Sequence, residues 1–196
     1  MILFANACVR RESRTKRLAD VLLSKMAGEI DEVRISDIAF PTANEDFLRK
    51  RDTLIAANKW DDPLFKYARQ FAKADQIVIA APYWDLSFPA ALKQYFEQIN
   101  VLGITFEYSP DGMPISKCRA DSLYYVMTAG GAFVPEDYGF GYVKSLAQGF
   151  YGIKDVKLLK AVGLDIYGAD TEGIMKEAIE SIDAFLNTVD RKKLRN

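Results

Sequence analysis

The stretch Ile77-Val-Ile-Ala-Ala-Pro-Tyr-Trp-Asp-Leu-Ser-Phe-Pro-Ala-Ala-Leu-Lys-Gln-Tyr-Phe-Glu-Gln-Ile99 decides the fold. Ile77 to Ala81 is an unbroken apolar run, as a strand covered on both faces requires. Pro82 ends it, because a residue without an N–H cannot continue a ladder. Tyr83 and Trp84 then stand at the carboxyl end of the strand, where open α/β sheets hold their ligands. Pro89 suits the first turn of a helix, and Leu92, Tyr95, Phe96 and Ile99 follow at helical spacing. A flat, largely apolar ligand against this loop is the first functional expectation.

Working outward, strands and helices alternate. Ile2 to Asn6 reads as a first strand, followed by a helix from about Arg14 to Met26. Glu32 to Ile38 reads as a half-exposed edge strand. Thr42 to Gln70 reads as two helical pieces broken at Asp61-Asp62-Pro63. Leu123 to Met127 and Val156 to Leu164 are the fourth and fifth strands, and Glu172 to Val189 a last helix. Five strands with intervening helices imply a doubly wound parallel sheet. Two orders are open, Rossmann-like 3-2-1-4-5 and flavodoxin-like 2-1-3-4-5. The first loop, Ala7-Cys-Val-Arg-Arg-Glu-Ser-Arg-Thr15, has no glycine and so no dinucleotide fingerprint, and no G-x-x-x-x-G-K-[ST] occurs anywhere. What remains is the hydroxyl-rich helix start Ser13-Arg14-Thr15. Capping alone would account for Ser13. Its place after the first strand favours a terminal phosphate, met by hydroxyls, backbone N–H groups, Arg14 and the helix dipole.

Composition narrows the chemistry. The 196 residues, 49% hydrophobic and 27% charged, suit one soluble domain, and a net charge of −1 gives no footing for nucleic acid or an anionic membrane. No run approaches the roughly 20 apolar residues of a membrane span and no signal peptide is legible, so a cytoplasmic location is expected. Cys8 and Cys118 are too few and too distant for a zinc cluster or a disulfide framework. The chain has no histidine, which excludes His-based triads, HExxH metal sites and imidazole acid–base chemistry. Catalysis must rest on a cofactor, carboxylates, Tyr, Lys, Cys or the backbone.

Four segments resemble the FMN-dependent NAD(P)H oxidoreductases of flavodoxin-like fold, the family of the NADH azoreductases and quinone reductases. Ser13-x-Thr15 is similar to that family's phosphate loop. Pro82-Tyr83-Trp84-Asp85-Leu86-Ser87-Phe88-Pro89 with Leu92-Lys93-Gln94-Tyr95-Phe96 resembles its P-M-Y-N-F-x-[IV]-P-x-x-L-K-x-[YW]-[FIL] block. Gly103-Ile-Thr-Phe-Glu-Tyr108 before Asp111-Gly112 resembles its G-x-T-F-x-Y segment. Thr128-Ala129-Gly130-Gly131 resembles its T-S-R-G-G turn, with Phe150-Tyr-Gly-Ile153 like its F-x-G-[IF]. The likeness spans nearly the whole chain.

The resemblance implies a flavodoxin-like three-layer sandwich with a five-stranded parallel sheet in the order 2-1-3-4-5, forming one FMN-binding domain over 1–196. It implies FMN as cofactor and NADH or NADPH as donor, with ping-pong hydride transfer to quinones, azo or nitro compounds. FMN phosphate would meet Ser13, Arg14 and Thr15. The ring would lie across Pro82, Tyr83, Trp84, Asp85 and Leu86, with Thr128, Ala129, Gly130 and Gly131 on its pyrimidine edge. Phe106, Tyr108 and Phe150 would wall the substrate, Tyr108 being a candidate to position or protonate the acceptor. A homodimer with its site at the subunit boundary is also implied. The chain departs from the pattern at Ala129 for Arg, Asp85 for Asn, Ala7-Cys8 for a hydroxyl, and Phe133 where an active-site histidine is usual. Arg10, Arg11, Lys16 and Arg17 are candidates, by charge only, to read a 2′-phosphate. An electron carrier without a substrate is the alternative, disfavoured by the near-neutral charge. A receiver domain is disfavoured because Asn6-Ala7-Cys8 offers no acidic pair.

Overall fold

The computed structural model describes residues 1–186. Strands β1 (Ile2–Asn6), β2 (Ile30–Arg34), β3 (Gln76–Ala80), β6 (Ser122–Thr128) and β7 (Asp155–Ala161) form one sheet in the order β2-β1-β3-β6-β7. All its pairings are parallel. Counting only its own strands, this is the flavodoxin-like order 2-1-3-4-5. A two-stranded antiparallel ribbon, β4 (Phe106–Tyr108) with β5 (Pro114–Ser116), stands apart from it.

The register aligns Leu3, Ile77 and Leu123 across the three inner strands. Because side chains alternate faces with period two, Leu3, Ala5, Ile77, Ile79, Leu123, Tyr125 and Met127 fall in one core. Ile2, Phe4, Val78, Ala80, Tyr124 and Val126 fall in the other. The second core is closed by α1 (Arg14–Ser24), through Leu18, Ala19, Leu22 and Leu23, and by α6 (Thr171–Glu180), through Met175 and Ala178. The first is closed by α3 (Lys66–Lys73), α4 (Ala90–Ile99) and α5 (Phe140–Gly149). In α4 the four residues at helical spacing, Leu92, Tyr95, Phe96 and Ile99, are all buried. The remaining helix, α2 (Glu45–Ala56), buries none of its residues; Ala57 caps it, and the next residue, Asn58, takes a left-handed conformation.

Several boundaries differ from expectation. Strand β2 gives way to a 3-10 turn at Ile35–Asp37, with Ile35 buried in the same core as Val33. Pro89 is the cap of α4 and not a helical residue. Strand β7 ends at Ala161, short of Leu164, since Gly163 adopts a positive φ of 81° that breaks the extended run. Helix α5 went unread: its two glycines, Gly141 and Gly149, dilute the helical pattern. The last helix is interrupted at Ser181 and continues over 182–186, with Ile182 buried. The part of it expected up to Val189 lies outside the described residues.

Candidate functional site

The parallel sheet sends the loops after β1, β3, β6 and β7 to one edge, and there they enclose an open cleft of about 260 Å³. Of the residues expected to bind a cofactor, Ser13, Arg14, Thr15, Pro82, Tyr83, Trp84, Thr128, Ala129 and Gly130 line it. Asp85, Leu86 and Gly131 are adjacent in sequence but do not line it, and Phe106, Tyr108 and Phe150 stand elsewhere.

At the α1 end, Ser13 caps the helix by accepting the Lys16 N–H at 3.2 Å, worth about 1 kcal/mol to the helix. Its own O–H faces the Cys8 thiol. The backbone N–H groups of Arg14 and Thr15 have no protein partner among the described residues, as the first turn of a helix dictates. The Thr15 hydroxyl is buried and lies 2.6 Å from that of Thr128. One of the pair donates to the other, so a single O–H remains from the two. These donors, with the helix dipole, suit a phosphate monoester.

Arg14 is already engaged. Its guanidinium donates to Leu164 O at 3.2 Å and pairs with Asp165 at 2.6 Å, so the extra cation expected beside the phosphate is offset by a carboxylate. Of the other loop cations, Lys16 is held by Asp20 at 2.7 Å and Arg17 by Glu172 at 2.9 Å. Arg10 lines the cleft with no ion pair among the described residues. Below the loop, burial pushes the Cys8 thiol up to about 11, partly countered by a hydrogen bond with Ser13. The thiol is therefore protonated at neutral pH.

The loop after β3 is hooked to β6 by the Tyr83 N–H bonding Thr128 O at 3.0 Å. It then makes a tight reversal in which Trp84 and Ser87 exchange both backbone hydrogen bonds, at 3.1 and 2.7 Å. The two central residues, Asp85 and Leu86, have φ of 49° and 67°, the pattern of a type I′ turn, which Asn-Gly would fill without strain. Both side chains are exposed, and Trp84 is left 41% exposed at the cleft wall. Ser87 Oγ donates to Tyr138 O at 2.8 Å, bracing the turn against the segment before α5. Tyr83 lines the cleft, and its hydroxyl is buried with no hydrogen-bond partner among the described residues.

The opposite wall is a backbone zipper. Gly163 N bonds Gly131 O at 3.0 Å, Leu164 N bonds Ala129 O at 3.2 Å and Asp165 N bonds Gly130 O at 2.9 Å. All three carbonyls of the Ala129-Gly130-Gly131 turn are thereby used, while the N–H groups of Gly130 and Gly131 have no protein partner among the described residues. Gly130 is required by space: a Cβ there would stand 2.3 Å from Asp165 Oδ2. Leu164 and Asp165, both cleft-lining, were missed because the fifth strand was read through Leu164. Ending it at Gly163 would have put them on a carboxyl-end loop, where ligand residues are expected.

Phe106 is buried and meets Phe150 edge to face at 4.9 Å and Tyr108 at 5.5 Å. These three form a ribbon-supported aromatic cluster of their own. Tyr108, Met113, Ile115 and neighbouring Leu102 are nonetheless exposed.

A family model described as Flavodoxin-like fold matches residues 1–186. An FMN-dependent NADH:quinone oxidoreductase of Clostridium beijerinckii is 35% identical over 183 residues, covering 90% of this chain and 91% of the relative. One of the same name from Clostridium perfringens is 34% identical over 188 residues, covering 91% and 94%. Among solved structures, an azoreductase from Bacillus anthracis superposes with a TM-score of 0.79 at 22% identity, covering 95% of this chain and 98% of its own. That likeness speaks for the fold. The chain belongs to the family of flavodoxin-like fold, alongside proteins named FMN-dependent NADH:quinone oxidoreductases.

Proposed function

We propose that this protein is an FMN-dependent oxidoreductase that takes hydride from NADH and passes it to quinones, and to azo and nitro compounds, by a ping-pong sequence. The observation that carries the reading is the cleft itself, whose lining brings the unpartnered donors of the α1 start and of Gly130 together with half-exposed Trp84. When bound, FMN supplies the capacity to accept hydride from a nicotinamide and release it to an electron-poor acceptor.

The chain's own residues have three tasks. Ser13 Oγ and the N–H groups of Arg14 and Thr15 hold the phosphate at the helix terminus. The N–H groups of the Gly130-Gly131 turn would supply fixed dipoles for negative charge that accumulates during transfer. Trp84, half-exposed, gives donor and acceptor an apolar face to stack on in turn. Because both use one face, the oxidised donor leaves before the acceptor enters. The absence of histidine is consistent with chemistry that needs no strong side-chain base at the reacting centre.

The reading extends to the assembly. The chain forms one domain over 1–196, and it pairs with a second copy whose exposed ribbon, Tyr108 foremost, completes the acceptor wall that this cleft lacks. The displacement of Phe106, Tyr108 and Phe150 from the cleft supports that arrangement. No helix among the described residues is long and apolar enough to cross a membrane, and we place the protein in the cytoplasm.

The test is the visible spectrum of protein reconstituted with FMN, followed through anaerobic addition of NADH and then a simple quinone. Bands that bleach with NADH and return with quinone are expected. Bands that NADH leaves intact would point to an electron carrier, and failure to bind FMN would end the proposal.

A further inference from the structure

The charges on the cleft wall cancel. Arg10, Glu12, Arg14 and Asp165 all line it. Arg10 and Glu12, of opposite sign, stand two residues apart on the loop entering α1. Arg14 and Asp165 meet from the start of α1 and the loop after β7, with 2.6 Å between them. The wall therefore offers a phosphate no excess of positive charge.

Arg14 is the cation best placed to supply one. It lies between Ser13 and Thr15 at the phosphate end, and a guanidinium fork matches phosphate oxygens in geometry. That fork is already occupied. One nitrogen donates to Leu164 O at 3.2 Å and the other to Asp165 Oδ1. Asp165 is held in its turn: its N–H donates to Gly130 O at 2.9 Å, and its Oδ2 fills the space that a Cβ on Gly130 would take. A strap of contacts thus runs from α1 through Arg14 and Asp165 to the turn after β6. Both partners keep part of their surface in water, 36% and 64%, so the pair is weak enough to be exchanged.

We infer that Asp165 is a positioning residue, which sets the charge preference of the phosphate end by holding Arg14. With Asp165 in place, a phosphate monoester meets neutral hydroxyls, backbone N–H groups and the helix dipole, and gains little from the guanidinium. Without it, Arg14 is free to turn to the phosphate, which is mostly dianionic at pH 7.5. The inference rests on the reading that a flavin phosphate sits at the α1 start.

Calorimetric titration of flavin-free protein with riboflavin and with FMN, at pH 7.5 in 0.05 M and 0.5 M salt, tests it. The ratio of the two dissociation constants isolates the phosphate. Asp165→Asn is expected to raise FMN's advantage about fivefold at 0.05 M salt, the scale of one surface charge contact. At 0.5 M salt, where the screening length is about 4 Å, the gain should fall below about twofold. Riboflavin affinity should stay within about twofold throughout. In an Arg14→Gln background the same substitution should move the ratio by less than about twofold. An unchanged ratio in Asp165→Asn, with wild type favouring FMN, would overturn the inference alone. So would a gain that persists in the Arg14→Gln background, since the carboxylate would then act by direct repulsion, or an equal change for both flavins, which is a structural effect. If FMN binds no better than riboflavin in any of these proteins, the reading of the α1 start fails first and this inference with it.

Discussion

Gly130→Ala is the sharpest probe of the cleft wall. The added Cβ would stand 2.3 Å from Asp165 Oδ2, 3.0 Å from its Cγ and 3.1 Å from its Cβ. The Asp165 backbone cannot retreat without losing its 2.9 Å bond to Gly130 O, so its side chain must rotate. Rotation breaks the 2.6 Å pair with Arg14, whose partners are 36% and 64% exposed, at a cost of about 0–1 kcal/mol. The off-rotamer side chain adds about 0.5–1.5 kcal/mol. The sum is roughly 0.5–2.5 kcal/mol. Asp165→Ala removes the clashing carboxylate, leaving only the tight Cβ contact, so in that background Gly130→Ala should cost about 1 kcal/mol less. Urea unfolding of the two single variants, the double variant and the parent measures the coupling. If Gly130→Ala costs the same in both backgrounds, within about 0.3 kcal/mol, the carboxylate does not hold that space and the account of Gly130 is wrong.

Other expectations concern neighbouring parts of the site. Leu86→Gly relieves a left-handed residue at φ 67°; the gain of about 1–2 kcal/mol exceeds the glycine entropy cost of about 0.5–1 kcal/mol, so the urea midpoint should rise slightly, whereas Leu86→Val should lower it. Thr15→Val orphans the buried Thr128 hydroxyl, now 2.6 Å from its partner, and should cost about 1–3 kcal/mol; the Thr15→Val, Thr128→Val double variant should be less damaging than the single one, read by thermal melting. Cys8 has a folded pKa of about 11 against an ordinary 9.0, so the folded state keeps a proton that the unfolded chain releases. Its contribution is intact below pH 9 and is lost as pH rises toward 11, up to roughly 3 kcal/mol. Cys8→Ser should flatten that part of the stability–pH curve relative to wild type, and an unchanged difference between the two proteins from pH 8 to 11 would refute the buried thiol.

What the sequence disclosed, and what it withheld, follows from the range of the interactions involved. The inner strands were legible because both faces of β1, β3 and β6 are buried: Ile77 to Ala81 must be apolar at every position, and a local run suffices to see it. Helix α4 was legible because its four buried residues repeat within ten positions. Ser13 and Thr15 could be placed because a helix terminus creates its own unsatisfied donors. Asp165 could not. Its role depends on a zipper to Gly130, 35 residues earlier, and on Arg14, on another element altogether, and no local pattern encodes such a meeting. The same holds for the left-handed turn at Asp85-Leu86, where the residues themselves give little sign of the strain. Leucine at a position suited to glycine violates local preference, and such violations persist where surrounding structure over-determines the backbone. Here that structure is the Trp84–Ser87 hydrogen-bond pair and the Ser87 bond to Tyr138. A strained turn held from both sides, beside a cleft wall in which a Cβ at Gly130 would have to displace the Asp165 side chain, is a rigid frame. On the proposed reading, such a frame would fix backbone N–H dipoles before a ligand arrives, which is what electrostatic stabilisation requires of a chain with no histidine to move protons.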